Sequence, residues 1–366
     1  DLPQSTQVRP LYGAMEFSSQ RAAIAPAPQG IRKIVLATAI AETSLTIEDI
    51  RVVIDAGKAR RARVDPSSGM SRLVTERVSR AEADQRRGRA GRVAPGVCYR
   101  LWSKGEEGAL PAFPPAEIEV ADLAGLALEL ALWGAGAESL AFLTPPPAPA
   151  LAEARALLAG LGALDARGRI TSHGRQMAAL PLHPRLAHML LRAGKAAAPL
   201  AALLSDRDVL SGAPADLALR LSALRDPRRF ADDHPWPIHR GTLERVREDS
   251  RRLTRLAPDT SAEMSAGGMA SLAYPDRIGL RRRGDDPRFV LSGGKGAVAS
   301  PADPLGASRL IVASDLDGDP REAKIRQGIA LHESDLRALH GDRIAWVDLV
   351  EWSRREGRVV ARRQER

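Results

Sequence analysis

The stretch DQRRGRAGR, residues 84–92, combines four arginines with two glycines. Arginine is a good helix former, whereas each glycine inside a helix costs about 1 kcal/mol relative to alanine. A basic surface by itself does not need Gly88 and Gly91. We therefore expect a constraint on the backbone here, namely that a slim helix approaches another element closely.

The residues just before this stretch indicate where the helix begins. Ser79 and Glu82 have the spacing of a capping box, with the serine at the N-cap and the glutamate three positions later. In a helix from that start, Gln85, Arg89 and Arg92 follow at i, i+4 and i+7 and share one face. Guanidinium groups on that face could reach across a cleft towards a phosphoryl group. From the residues alone, these two arginines are predicted to bind phosphate.

Two short apolar runs precede the helix and indicate strands. KIVLA (33–37) and RVVIDAG (51–57) are rich in β-branched residues and are predicted to be buried. Between them lies the hydroxyl-rich segment TAIAETSLTIED (38–49). An open α/β sheet binds its ligands at the carboxyl ends of its strands, so this segment is a candidate ligand site. A loop that only caps a helix is the alternative.

Positive charge is concentrated in the same part of the chain. Residues 51–92 contain twelve arginines and lysines against five carboxylates, whereas the whole chain has a net charge of +9. Such a local excess favours a phosphate-bearing partner, although a solvated basic face has the same composition.

A β-hairpin is predicted within this basic region. KARRARV (58–64) and MSRLVTERV (70–78) flank a segment whose proline and glycine suit a tight turn. The first arm places Arg60, Arg61 and Arg63 as candidate nucleic-acid contacts, although an ordinary edge hairpin also carries such residues.

Composition limits the remaining classes of protein. The 366 residues are 44% hydrophobic, and the pI near 10.3 favours a polyanion, nucleic acid first and an anionic membrane surface second. Cys98 is the only cysteine, which excludes an internal disulfide and fits a reducing cytoplasm. The most apolar long run, 120–133, is too short to span a bilayer and is expected to be a core helix. Of the two polyanions, nucleic acid is the expected partner and a membrane is not.

Two segments resemble motifs of a known family. ATAIAETSLTI (37–47) resembles motif V of the DEAH-box ATP-dependent helicases, and QRRGRAGR (85–92) resembles their motif VI. Further segments are most similar to the bacterial HrpB-type branch: GVCYRLWS (96–103), LPLHPRLAHMLLRA (180–193), YPDRIGLRR (274–282) and LSGGKGA (291–297).

The resemblance implies roles in ATP hydrolysis. It gives Arg89 and Arg92 the role of arginine fingers on the nucleotide phosphates and Gln85 a place at the γ-phosphate and its attacking water. Thr46 and Glu48 fall where the family binds the ribose side of the nucleotide. An arginine finger contributes roughly 10³ to 10⁵ in rate, so the two arginines carry the largest expected effect.

The resemblance also implies nucleic-acid contacts and two departures. Thr38 matches a contact with a nucleic-acid phosphate. Ala39 replaces the usual asparagine, which removes one side-chain hydrogen bond to RNA. Ile24 aligns loosely where an aromatic residue often covers the adenine.

The expected fold class is α/β with four domains. A partial second RecA-like domain with a parallel sheet is predicted for 1–105 and a winged-helix domain for 106–180. A helical ratchet-like domain is predicted for 181–267 and a truncated OB-like β domain for 268–366.

Some helicase motifs do not occur in this sequence. Neither G-x-x-x-x-G-K-[ST] nor D-E-x-H occurs, so we expect the chain to hold half of an ATP site and to be inactive alone. ATP and Mg²⁺ would be bound mainly by a first RecA-like domain. No metal ligands are expected within the chain, since LHESD (331–335) is not H-E-x-x-H. His173, His183 and His188 are interpreted as surface or packing residues.

The leading hypothesis is the carboxyl-terminal part of an ATP-dependent nucleic-acid helicase, a nucleoside triphosphatase acting on RNA. Its expected partners are RNA or single-stranded nucleic acid and ATP, and the expected state is a cytoplasmic monomer. The alternative is a non-catalytic nucleic-acid-binding scaffold with a helicase-like fold. A third possibility is that the basic charge binds membrane or polyphosphate.

Overall fold

The computed structural model describes residues 2–13, 15–42, 47–65, 70–92, 94–260, 264–319, 322–353 and 357–365. The chain forms two compact units. The first comprises 1–63 and 73–121, and the second comprises 64–72 and 122–366. The four predicted domain boundaries are not tested by this division and stay a prediction.

The first 121 residues contain six strands and three α-helices within the described ranges. Two pairs of strands are parallel, β1 with β2 and β3 with β6, while β4 pairs with β5 as the predicted hairpin. The elements are β1 (Thr6–Leu11), α1 (Phe17–Ile24), β2 (Arg32–Ala37), β3 (Val52–Asp55), β4 (Lys58–Asp65), β5 (Met70–Arg77), α2 (Arg80–Gly88), β6 (Val97–Arg100) and α3 (Lys104–Gly108).

The two apolar runs form strands as predicted, but their predicted burial is wrong in part. Leu36 is 60% exposed and Ile54 is 67% exposed. Val52, Val97 and Tyr99 are also exposed and lie with Ile54 on one face of the β3–β6 pair, because they pair in register and alternate along the strands. Burial of a parallel strand requires cover on both faces, and the described part of this unit covers only one.

The helix α2 begins where the sequence predicts. The backbone N–H of Glu82 donates to Ser79 Oγ at 3.2 Å, and the backbone N–H of Ser79 donates to Glu82 Oε2 at 2.7 Å. This reciprocal capping box satisfies two backbone donors that the first turn of a helix leaves unpaired.

The expected end of α2 and the expected role of its glycines are wrong. The helix stops at Gly88, so Arg92 lies beyond it and does not share a helical face with Gln85. A Cβ added to Gly88 or Gly91 would meet no atom within 4 Å, so no described part of the chain packs closely against these glycines. The close approach is at Gly96, where a Cβ would collide with the backbone carbonyl of Ala90.

The larger part of the second unit, residues 122–366, begins with helices. They are α4 (Ala124–Trp133), α5 (Ala148–Gly160), α6 (Ser172–Ala178), α7 (Pro184–Ala193), α8 (Ala198–Ser205), α9 (Leu217–Arg225), α10 (Pro227–Asp233), α11 (Arg240–Leu256) and α12 (Ala266–Ala273). Between α5 and α6, Leu164 pairs with Ile170 across a tight turn, as expected for the hairpin of a winged helix. The large core of this unit runs through α7, α8, α11 and α12.

The helix α11 carries a stripe of four apolar residues, and three of the four are buried. Leu243, Val246 and Leu253 are buried. Leu256 is 48% exposed because it is the last residue of the helix, where the chain turns away.

A closed five-stranded barrel follows the helices. Its strands are β7 (Ile278–Arg281), β8 (Arg288–Leu291), β9 (Gly296–Val298), β10 (Leu310–Leu316) and β11 (Ala323–Ala330). The segments RIGLRR, RFVL, RLIVAS and AKIRQGIAL contribute four of these strands, as a β domain requires, while the OB-like assignment stays a prediction. After the barrel come α13 (Glu333–His340) and a hairpin of β12 (Trp346–Ser353) and β13 (Arg358–Glu365).

Two segments of the HrpB-type resemblance meet in an ion pair between a buried arginine and a partly exposed aspartate. Arg185 of α7 donates through Nη1 to Asp276 Oδ1 at 2.5 Å and through Nη2 to Asp276 Oδ2 at 2.9 Å. It also donates to the carbonyl of Ala273 at 3.0 Å and lies over the ring of Tyr274. Arg185 therefore ties the helical core to the entrance of the barrel.

Within the described ranges, every helix is too short or too polar to cross a membrane.

Candidate functional site

The motif V segment starts at the carboxyl end of β2. Thr38 follows the strand, its backbone N–H donates to the carbonyl of Leu11 at 3.1 Å, and its side chain is exposed. A 3-10 turn, Ala39–Ala41, then leads to Glu42. The predicted ligand segment thus begins at the strand end, as the sequence indicates.

Glu42 is the point at which the motif V and motif VI segments contact each other. Arg86 of α2 donates through Nε to Glu42 Oε1 at 2.6 Å. Arg89, the C-cap residue of α2, donates through Nε to the main-chain carbonyl of Glu42 at 3.0 Å, and one of its Nη groups donates to the same oxygen. One residue of motif V therefore accepts hydrogen bonds from two arginines of motif VI.

Arg86 also contacts the end of β3. Its Nη1 donates to Asp55 Oδ1 at 2.8 Å and to the carbonyl of Lys58 at 3.2 Å. The side chain of Asp55 is fully buried, and its Oδ1 also accepts the backbone N–H of Gly57. Although burial alone would lower the pKa of Arg86, the hydrogen bonds and charges of Asp55 and Glu42 raise it. Arg86 is therefore a fixed cation inside the unit.

Arg89 and Arg92 are close enough to influence each other. Burial lowers the pKa of Arg89, and the positive charge of Arg92 lowers it further, while Glu42 opposes both effects. Arg92 is exposed. The two candidate arginine fingers thus form a region of concentrated positive charge beside motif V, although they do so from the end of a helix and the turn after it.

The other residues that are predicted to bind the nucleotide make fewer contacts. Gln85 is exposed on α2, and Glu48 is exposed after the motif V segment. Thr46 lies outside the described residues. The structure brings Arg89 to Glu42 and close to the charge of Arg92, whereas it gives Gln85 and Glu48 no hydrogen bond with them.

Among the predicted nucleic-acid residues, the three arginines of β4 differ. Arg60 is exposed. Arg63 donates through Nη2 to Glu76 Oε2 at 2.7 Å, and Arg61 forms ion pairs with Glu76 and Glu82. The hydrogen bond from Arg63 lowers the pKa of Glu76 despite the opposing effect of burial. Two of the three candidate cations are thus engaged by carboxylates of the same unit.

Sequence reasoning missed Glu42, Asp55 and Arg86. A carboxylate at the end of an apolar strand was a usable signal for Asp55, because a buried charge requires a partner. Nothing in the sequence distinguishes Arg86 from the adjacent Arg87, which is 62% exposed and lies 3.4 Å from Asp84.

In the part of the chain that the structure describes, no group of three or more His, Cys, Asp and Glu side chains is arranged to hold a metal ion.

Comparisons with known proteins agree with this arrangement. Residues 2–94 match the family described as "Helicase conserved C-terminal domain", and residues 154–182 match the winged-helix "Helicase associated domain (HA2)". The chain is 37% identical over 365 residues to the ATP-dependent RNA helicase HrpB of Escherichia coli, covering 97% of this chain and 42% of HrpB. It is 41% identical over 187 residues to the pre-mRNA-splicing factor ATP-dependent RNA helicase prp22 of Schizosaccharomyces pombe, covering 50% and 16%.

Similarity extends to a solved structure. The crystal structure of the E. coli DExH-box NTPase HrpB matches with a TM-score of 0.81 and 36% identity, covering 100% of this chain and 44% of that chain. The chain therefore spans less than half the length of HrpB.

Proposed function

Because this chain belongs to the HrpB-type branch of the DEAH-box helicases, we propose that it contributes the motif V and motif VI half of an ATP site that drives movement along RNA. The observation that carries the proposal is the double contact at Glu42, whose carboxylate accepts Arg86 and whose carbonyl accepts Arg89. A change at the end of α2 would be transmitted directly to the segment that follows β2.

The positive charge at the end of α2 fits a triphosphate. The charge of Arg92 lowers the pKa of Arg89, so an anion placed between the two guanidinium groups would relieve repulsion. We assign Arg89 and Arg92 to the phosphates, Gln85 to the attacking water, and Thr46 and Glu48 to the ribose side. When bound, ATP supplies the free energy of the cycle. We propose no Mg²⁺ ligand within the described residues, and we infer that this chain alone does not hydrolyse ATP, because neither G-x-x-x-x-G-K-[ST] nor D-E-x-H occurs in its sequence.

Hydrolysis would be tested by replacing Arg89 in the complete gene product and measuring turnover of ATP at saturating RNA. Arg89→Ala should lower kcat by about a thousandfold or more, since an arginine finger contributes roughly 10³ to 10⁵. Arg89→Lys should recover little, because an ammonium lacks the multi-donor fork. Arg87→Ala is the matched control, since Arg87 is an exposed arginine of the same helix. Unchanged turnover in Arg89→Ala would favour the non-catalytic scaffold.

For nucleic-acid contact, we retain Thr38 and Arg60 as the first candidates because both are exposed. Arg61 and Arg63 would have to leave Glu76 before binding a phosphate. Arg60→Ala should therefore weaken binding of single-stranded RNA and reduce the salt slope by about one. Arg61→Ala should change that slope less. Equal slopes for both variants would contradict this ranking.

We further propose that the protein acts as a monomer, and that it works in the reducing cytoplasm, where the single thiol of Cys98 would stay reduced. Sedimentation of the purified protein over a range of concentrations would test the oligomeric state.

A further inference from the structure

A pair of histidines lies in the second unit, and one of them, His188, belongs to the segment 180–193 of the HrpB-type resemblance. His188 of α7 is 8% exposed, and its Nδ1 lies 2.8 Å from Nε2 of His173 on α6. The two rings meet edge to face, with centroids 5.0 Å apart. A hydrogen bond between two imidazoles requires one nitrogen to donate and the other to accept, so at least one ring accepts through an unprotonated nitrogen.

The charged groups that act on His188 include two arginines. Arg192 follows His188 by four residues in α7, so both lie on one face of the helix. Arg343, in the 3-10 turn Gly341–Arg343, donates to the carbonyl of Gly160 at 3.0 Å. Both arginines are exposed, and neither forms an ion pair with any residue that the structure describes. His340, at the end of α13, lies 2.9 Å from Ser271 Oγ.

These charges lower the pKa values of the two histidines. Burial lowers the pKa of His188 to about 3, and the charges of His173, Arg192, Arg343 and His340 act in the same direction. Burial also lowers the pKa of His173, to which Arg192 adds. The carboxylate of Asp342 raises the pKa of His340, which lies outside the pair. The strongest charges acting on the pair are therefore all positive.

We propose that Arg192, Arg343 and the His173–His188 pair form a binding site for a phosphate-type oxyanion. Two arginines supply multi-donor forks that match the oxygens of a phosphate, and His173, whose Nε2 faces His188, would donate through Nδ1 when that nitrogen carries a proton. This site is separate from the proposed ATP site and does not depend on it. The phosphate could belong to a nucleic-acid backbone or be free in solution.

Binding at this site would be linked to protonation. An oxyanion near the pair would offset the positive charges and favour a protonated imidazole. Binding should therefore take up a proton and strengthen as the pH falls.

The test is a pH titration of the histidine ring resonances by NMR. The protein would be titrated alone, with inorganic phosphate, and with a short single-stranded RNA, and His173 would be assigned with His173→Asn. We expect the His173 midpoint to rise by about one pH unit with phosphate, because an opposite charge at close range shifts a pKa by that order. A rise with RNA but not with free phosphate would also support the site and would identify a backbone phosphate as its ligand.

Single substitutions determine whether the rise depends on the two arginines. Arg192→Ala and Arg343→Ala should each remove most of the rise, whereas Arg228→Ala, at an exposed arginine of α10, should leave it unchanged. Arg89→Ala should also leave it unchanged, so failure of the proposed ATP site would not affect this measurement. The proposal is overturned if neither probe moves the midpoint, or if the rise persists without both Arg192 and Arg343.

Discussion

Replacing Arg86 by alanine should destabilise the first unit far more than replacing its neighbour Arg87. The Arg86 guanidinium lies between Asp55, whose side chain is fully buried, and Glu42, whose side chain is 12% exposed. Removing it leaves two carboxylates without their cation, and breaking a buried pair in this way costs about 3 to 5 kcal/mol. Arg87 has one exposed contact with Asp84 at 3.4 Å, and such surface pairs contribute about 0 to 1 kcal/mol.

Hydrogen exchange measured by mass spectrometry can resolve this difference within the chain. A loss of about 3 kcal/mol corresponds to roughly a hundredfold faster exchange of the amides that open with α2, if they open with the unit. Arg87→Ala should change the same peptides by about fivefold or less. The double variant Arg86→Ala/Asp55→Asn should recover part of the loss, because it removes one uncompensated charge.

The reasoning fails if Arg86→Ala and Arg87→Ala exchange at the same rate, since the energetic difference is assigned wholly to the buried carboxylates. It also fails if the double variant is less protected than Arg86→Ala, which would mean that Asp55 stabilises the unit mainly through contacts other than the ion pair.

Three further predictions concern other parts of the chain. Arg185→Ala should destabilise the second unit by about 1.5 to 3 kcal/mol in urea unfolding, because the partly exposed carboxylate of Asp276 loses two charge-assisted hydrogen bonds and keeps only Arg277 at 3.7 Å, and an effect below about 0.5 kcal/mol would contradict this role. Gly96→Ala should destabilise the first unit, because the added Cβ would collide with a backbone carbonyl. Gly88→Ala has open space around it and should be neutral or stabilising by about 0.5 kcal/mol. Unfolding midpoints that shift equally in the two variants would refute this contrast. The unfolded chain binds a proton at His188 below about pH 6.5, while the buried ring resists it until about pH 3, so stability should fall as the pH drops through this window. By pH 5 this single group should cost about 2 kcal/mol, a loss that should be largely absent in His188→Asn.

Local sequence determined the elements that depend on near neighbours. The capping box places the start of α2 because Ser79 and Glu82 satisfy each other's backbone donors within one turn. The stripe of α11 and the strands of the barrel follow from the spacing of apolar side chains. The candidate arginine fingers were identified through the resemblance of motif VI, and the position of Arg89 beside Glu42 is consistent with that resemblance.

Tertiary structure decided which of several chemically equal side chains is buried. Arg86 and Arg87 are adjacent residues of the same type. Only Arg86 faces the buried Asp55, because the path of β3 fixes where that carboxylate lies. Arg185 and Asp276 are 91 residues apart and meet only when α7 packs against the entrance of the barrel. Spacing along the chain specifies which face of an element a residue occupies. The partner that a residue meets on that face depends on a distant segment. The ion pairs of the β4 arginines and the contacts at Glu42 could therefore be identified only in the folded chain.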